Sequence, residues 1–113
     1  MPFIDCKLTK KLDEKTKENI KSELGKAISV MRKGENYLMV GICDGYGLWF
    51  GGSKLENGAM VEIKVFGNVN SAESEKMTSA VCDVLARNAG VAGKHVYVTY
   101  QGIKDWGWNG GNF

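Results

Sequence analysis

The chain has 113 residues, 43% of them hydrophobic and 25% charged, enough for one domain with a true core and too apolar for a disordered chain. Fifteen Lys and Arg against 13 Asp and Glu leave a net charge of +2, too little to point to nucleic acid or an anionic membrane. No apolar run approaches the roughly 20 residues of a membrane span, and the start Met1-Pro2-Phe3-Ile4 carries no basic region followed by an apolar stretch. The expectation is one domain over residues 1–113, cytoplasmic, with release without a signal peptide as the alternative.

In chain order, Phe3 to Leu8 alternates apolar and polar and predicts a strand at the very start. Asp13 to Lys33 predicts a helix, with Ile20, Leu24, Ala27, Ile28 and Met31 on its apolar face. Asp13 or Thr16 is placed to cap it and Gly34 to stop it. Tyr37 to Cys43 is an almost unbroken apolar run, as in a strand buried on both faces. Asp44 to Gly47 is a turn, Leu48 to Phe50 a short strand, and Lys54 to Gly58 a loop. Ala59 to Phe66 alternates as a strand. Ser71 is placed to cap a second helix, with Met77, Val81, Val84 and Leu85 as its stripe and Gly90 as its end. Val96 to Tyr100 is the last predicted strand, and Asp105 to Phe113 is a tail of Trp, Gly and Asn.

The order is a strand–helix–strand unit used twice. Two such units make a four-stranded mixed sheet with both helices on one face, an α/β (α+β) arrangement. Counting Met39, Ile42, Val61, Ile63, Val65, Val96 and Val98 as more apolar side chains than two helices can cover leads to an apolar second face, and so to an oligomer.

Familiar catalytic signatures are absent. Gly51-Gly52-Ser53 lacks the spacing and the Lys of a phosphate loop. The one histidine, His95, has no neighbouring nucleophile, and Cys6, Cys43 and Cys82 are far apart in sequence with no C-x-x-C. No metal or other cofactor is expected. The remaining candidate is Pro2, the only proline. It reads either as a strand-edge proline or, once Met1 is trimmed, as a terminal secondary amine whose basicity its surroundings set. Lys33 by itself reads as a solvated helix-end lysine, and Trp106 and Trp108 as core or interface aromatics.

Met1-Pro2-Phe3-Ile4, Lys33 with Tyr37-Leu38-Met39-Val40, Phe50-Gly51-Gly52-Ser53, Val96-Tyr97-Val98 and Gly107-Trp108-Asn109-Gly110-Gly111-Asn112-Phe113 occur in that order. Together the sequence resembles the macrophage migration inhibitory factor family of the tautomerase superfamily over nearly its whole length. The resemblance implies a homotrimer whose three sheets form a central barrel, with pockets between subunits. It implies Pro2 as catalytic base after loss of Met1 and Lys33 as partner of a substrate carboxylate. Phe3, Phe66, Trp106, Trp108 and Phe113 would be pocket walls, and Tyr97 and Thr99 would come from the neighbouring subunit. Lys33 and apolar walls both disfavour a protonated Pro2, so the amine would be partly neutral near pH 7. The implied reaction is cofactor-free keto–enol tautomerisation of a small α-keto acid or enol of the phenylpyruvate type.

The alternatives are a secreted, receptor-binding trimer with a vestigial pocket, and decarboxylase- or dehalogenase-like chemistry on the same proline. The chain departs from the family pattern in Thr99 in place of an asparagine, in Arg32-Lys33-Gly34 in place of Gly-Lys-Pro, and in a large Trp106. Gly58-Ala59-Met60-Val61 stands where the mammalian cytokine has C-x-x-C, which argues against thiol redox chemistry.

Overall fold

The computed structural model describes residues Met1–Phe113. Strand β1 (Pro2–Leu8) buries every second residue, as its alternation requires. Asp13 is extended and its carboxylate accepts the Thr16 N–H at 2.8 Å, opening helix α1 (Glu14–Ala27). Ile20 and Leu24 are buried on its inner side. The chain then tightens into a 3₁₀ turn at Ile28–Met31. At three residues per turn Ile28 and Met31 eclipse, so both stay in the core. Arg32, in the left-handed region at φ 59°, closes the segment. The expected stop at Gly34 is therefore corrected: Gly34 is extended, and Lys33 lies beyond the helix.

Strand β2 (Met39–Cys43) is shorter than expected, because Glu35–Tyr37 forms another 3₁₀ turn. It lies at the edge of the sheet, and none of its residues is fully buried, Met39 and Cys43 being exposed, so it is not buried on both faces. Strands β3 (Trp49–Phe50) and β4 (Ser53–Lys54) pair as a hairpin across Gly51 and Gly52, both at positive φ. Part of the expected 54–58 loop is thus strand. Strand β5 (Ala59–Phe66) has the expected bounds. Helix α2 (Ser71–Ala89) is capped by Asn70, whose side chain accepts the Glu73 N–H at 3.0 Å; Ser71 is its first residue rather than its cap. Gly90, at φ 66°, ends it as expected. Strand β6 (Val96–Ile103) runs three residues past the predicted Tyr100. The tail folds into a hairpin, β7 (Gly107–Trp108) with β8 (Gly111–Asn112). Its turn is Asn109-Gly110, both at positive φ as a type I′ turn demands.

The sheet order is β2-β1-β5-β6, with β1·β2 and β5·β6 parallel and β1·β5 antiparallel. The chain thus has two strand–helix–strand units, two helices and a four-stranded mixed sheet. Ile4, Cys6, Leu8, Val61, Ile63 and Val65 meet Ile20, Leu24, Met77, Val81 and Leu85 in one core. Val40, Ile42, Val96, Val98 and Tyr100 pack against the same core. The Tyr100 hydroxyl is 2.8 Å from the Thr78 hydroxyl of α2. Glu23 of α1 accepts from Arg87 and Asn88 of α2, tying the helices together.

The second face of the sheet overturns the expected apolar surplus. Alternation and register place Asp5, Lys7, Glu62, Lys64, Tyr97, Thr99 and Gln101 there, with Phe3, Met39 and Met60. Val61, Ile63, Val65, Val96 and Val98 all have the helix-facing parity, so the helices do cover them. The most exposed large apolar residues are Met39 and Tyr97 on the two edge strands of that face, 68% and 61% exposed, and Trp49 of the β3–β4 hairpin, 64% exposed.

Candidate active site

Pro2 begins β1, is buried, and faces Val65 across the antiparallel seam. The preceding carbonyl, of Met1, accepts the Phe66 N–H at 2.9 Å, extending the β1·β5 ladder by one bond. This end of the sheet opens into a cavity of about 720 Å³, within the usual size range of small-molecule pockets. Met1, Pro2 and Phe3 line it from the start of β1. Asn36, Tyr37, Leu38 and Met39 line it from the segment entering β2, and Ile103, Asp105, Trp106 and Trp108 from the end of β6 and the tail. Lys64 reaches it from β5.

The tail hairpin holds the aromatic wall. Phe113 N–H donates to the Trp106 carbonyl at 3.0 Å, folding the last residue back. The Phe113 ring stacks on Trp108 with centroids 6.0 Å apart and lies 5.7 Å from Phe66. Tyr37 meets Trp108 edge-on at 5.8 Å. The structure therefore gathers Pro2, Phe3, Trp106 and Trp108 around one cavity, with Phe66 and Phe113 packed behind Trp108.

Lys33 is half-buried, makes no ion pair, and is not part of the cavity wall. Its charge nevertheless reaches the site. The amine at residue 1 is held below its ordinary basicity, first by burial and then by Lys33. Tyr97 and Thr99 are exposed on β6, the opposite edge strand from β2, and do not join this cavity within one subunit. Tyr97 packs instead on Phe50, with ring centroids 5.2 Å apart.

Asn36, Tyr37, Met39, Lys64, Ile103 and Asp105 line the cavity but are not among the site residues expected from the sequence. Lys64 was findable: β5 alternates without a break, so its parity sets it beside Phe3 on the polar face. The 3₁₀ turn presenting Asn36 and Tyr37 has no comparable signal. The cysteines lie apart from the cavity. Cys6 is in the core, where burial pushes its thiol up to about 12, and all three are unpaired.

A family model described as "Macrophage migration inhibitory factor (MIF)" matches residues 1–113. The chain belongs to the macrophage migration inhibitory factor family. MIF2 of Leishmania major superposes with a TM-score of 0.92 at 25% identity, over 100% of this chain and 97% of that one. The MIF-like protein of Entamoeba histolytica gives 0.89 at 23% identity, over 99% and 98%. A more distant structure, of a protein inactivated by 2-oxo-3-pentynoate, gives 0.84 at 13% identity over 96% and 93%. No curated protein matches the sequence. The MIF fold and tautomerase-superfamily membership are thus established.

Proposed function

We propose that the chain is a cofactor-free keto–enol tautomerase of the phenylpyruvate type, working as a homotrimer with Pro2 as base once Met1 is removed. The observation that carries this reading is the placement of Pro2 on an aromatic-lined cavity, next to a Met1 amine whose basicity burial and Lys33 already lower. Removal of Met1 transfers the free amine to Pro2, which is buried. It also takes away the acceptor of the Phe66 N–H. That backbone donor is then free beside the base, suited to a substrate oxygen.

In the proposed step the neutral Pro2 nitrogen takes a proton from the carbon next to the keto group. The C–H electron pair becomes the new C=C bond, and the carbonyl π pair moves onto oxygen. Lys33 and the Phe66 N–H favour the charge on the carboxylate and the developing enolate. The prolinium proton passes to the enolate oxygen directly or through water, and the amine is restored. Ketonisation is the reverse.

Trimerisation is supported by two open sheet edges, β2 and β6, and by exposed Tyr37, Met39, Trp49, Phe50 and Tyr97. It would bring Tyr97 and Thr99 of one copy to the cavity of the next. The test is turnover of phenylpyruvate by Met1-free protein, with the mass of the assembly measured by sedimentation. Turnover by a trimer is expected. A stable trimer without turnover transfers the case to the receptor-binding alternative, and a monomer at micromolar concentration overturns the assembly.

A further inference from the structure

The polar face of the sheet carries two acids and two lysines in one patch: Asp5, Lys7, Glu62 and Lys64. Their pairing is lopsided. Lys7 takes both acids, with its ammonium 2.5 Å from Asp5 and 3.7 Å from Glu62. Lys64 is left with none. It is half-buried, lies across from Phe3 in the β1·β5 register, and has neither an ion pair nor a side-chain hydrogen bond. Its neighbour across β6 is the neutral Gln101. A partly desolvated ammonium with no counter-charge is unfavourable unless a ligand supplies one.

Lys64 also lines the cavity that holds Pro2. Asp105, the one acid of that wall, is exposed and unpaired. One unpaired lysine, Lys64, therefore lines the cavity, and a second, Lys33, lies outside its wall but close enough to act on the residue-1 amine. A 2-oxo acid has one carboxylate and satisfies one of them. We infer that Lys64 is a specificity-determining residue that binds a second anionic group, so that the preferred substrate is a dianionic 2-oxo acid with a carboxylate at its far end. The inference rests on the tautomerase reading for its 2-oxo acid part, whereas the dianion preference stands on the unpaired Lys64.

The experiment compares phenylpyruvate with 4-carboxyphenylpyruvate on Met1-free protein. Exchange of the C3 hydrogens for deuterium, followed by NMR, reads proton abstraction directly. In parallel, calorimetric titration reads the affinity of the non-enolisable benzoylformate and 4-carboxybenzoylformate. The variants are Lys64→Met, close in shape without charge, and Lys64→Arg, which keeps it. The wild type is expected to favour the dianion in kcat/KM and in affinity. In Lys64→Met the dianion-to-monoanion ratio should fall about tenfold or more, mainly through KM, the scale of one charge-assisted hydrogen bond. Lys64→Arg should retain most of the ratio. Equal losses on both substrates, or an unchanged ratio, overturn the inference. So does a Lys64→Met protein that loses its assembly, since Lys64 then pairs with an acid of a second copy. If the wild type exchanges neither substrate, the tautomerase reading fails. The titrations then still decide on Lys64 by whether the variant loses the dianion preference.

Discussion

Retention or loss of Met1 should move activity and stability in opposite directions. With Met1 in place the Pro2 nitrogen is an amide, which has no basic lone pair. General-base catalysis contributes roughly 10²–10⁴-fold, so the retained form should turn over phenylpyruvate at least about a hundredfold more slowly. Meanwhile the Met1 carbonyl accepts the Phe66 N–H at 2.9 Å in the retained form. One such bond contributes about 1 kcal/mol, equivalent to about 4 °C in Tm for a domain of this size. The trimmed protein should thus be the less stable and the more active. Both forms can be made by synthesis, verified by mass, and compared at equal concentration, because assembly makes Tm concentration-dependent. A third sample, Pro2→Gly without Met1, keeps a primary amine on a freer backbone and should fall between them in rate. Equal turnover by retained and trimmed protein would refute Pro2 as the base. Equal Tm values would refute the worth assigned to the Phe66–Met1 bond.

Lys33→Ala should lower kcat/KM about tenfold for an α-keto acid and far less for its methyl ester, measured side by side, since the lost contact is charge-assisted; equal losses would mean that Lys33 acts only on the basicity of the amine. Replacing Cys6, Cys43 and Cys82 with Ala should cost about 1–2 kcal/mol, mostly from buried Cys6, while turnover per folded subunit persists; denaturant unfolding and the phenylpyruvate assay check both halves. Asp44 accepts the Leu12 N–H at 2.8 Å and pairs with Lys17 at 3.2 Å, contacts that hold its carboxyl below the ordinary range. A depressed carboxyl adds stability above its unfolded pKa of about 4 and loses it as pH falls through the folded value. Asp44→Asn should therefore lower Tm at pH 7 and progressively less below about pH 4; a pH-independent deficit would show that the charge is not the cause.

Where period and punctuation agreed, the sequence was a sufficient guide. Ala59 to Phe66 alternates cleanly and is bounded by Gly58 and Gly67, and the strand has those bounds. Gly90 is a left-handed helix end in sequence and structure alike. The misplaced features have physical causes. Arg32 rather than Gly34 turns left-handed because the 3₁₀ segment holding Ile28 and Met31 ends there. The apolar second face arose from counting valines across strands; parity within each strand assigns them all to the helices. The tail hairpin was legible in Asn109-Gly110, a strong type I′ signal, but its strands are only two residues long and show no alternation. Of the candidate site, Pro2, Phe3, Trp106 and Trp108 line one cavity, whereas Asn36 and Tyr37 arrive on a turn that depends on tertiary packing.

The two chain ends of this fold meet. Met1 is bonded to Phe66, and Phe113 rests 5.7 Å from the Phe66 ring. A purification handle at the front would be attached at a residue that lines the cavity and would leave the Pro2 nitrogen an amide, and one at the back would extend from Phe113, which packs on the cavity residue Trp108. Tagged samples would report low activity and altered ligand affinity for reasons unrelated to the protein. Attachment through a side chain on the solvent side of α1, such as exposed Lys21, leaves both ends as they are. Biosensor surfaces and affinity resins for this chain should be coupled there.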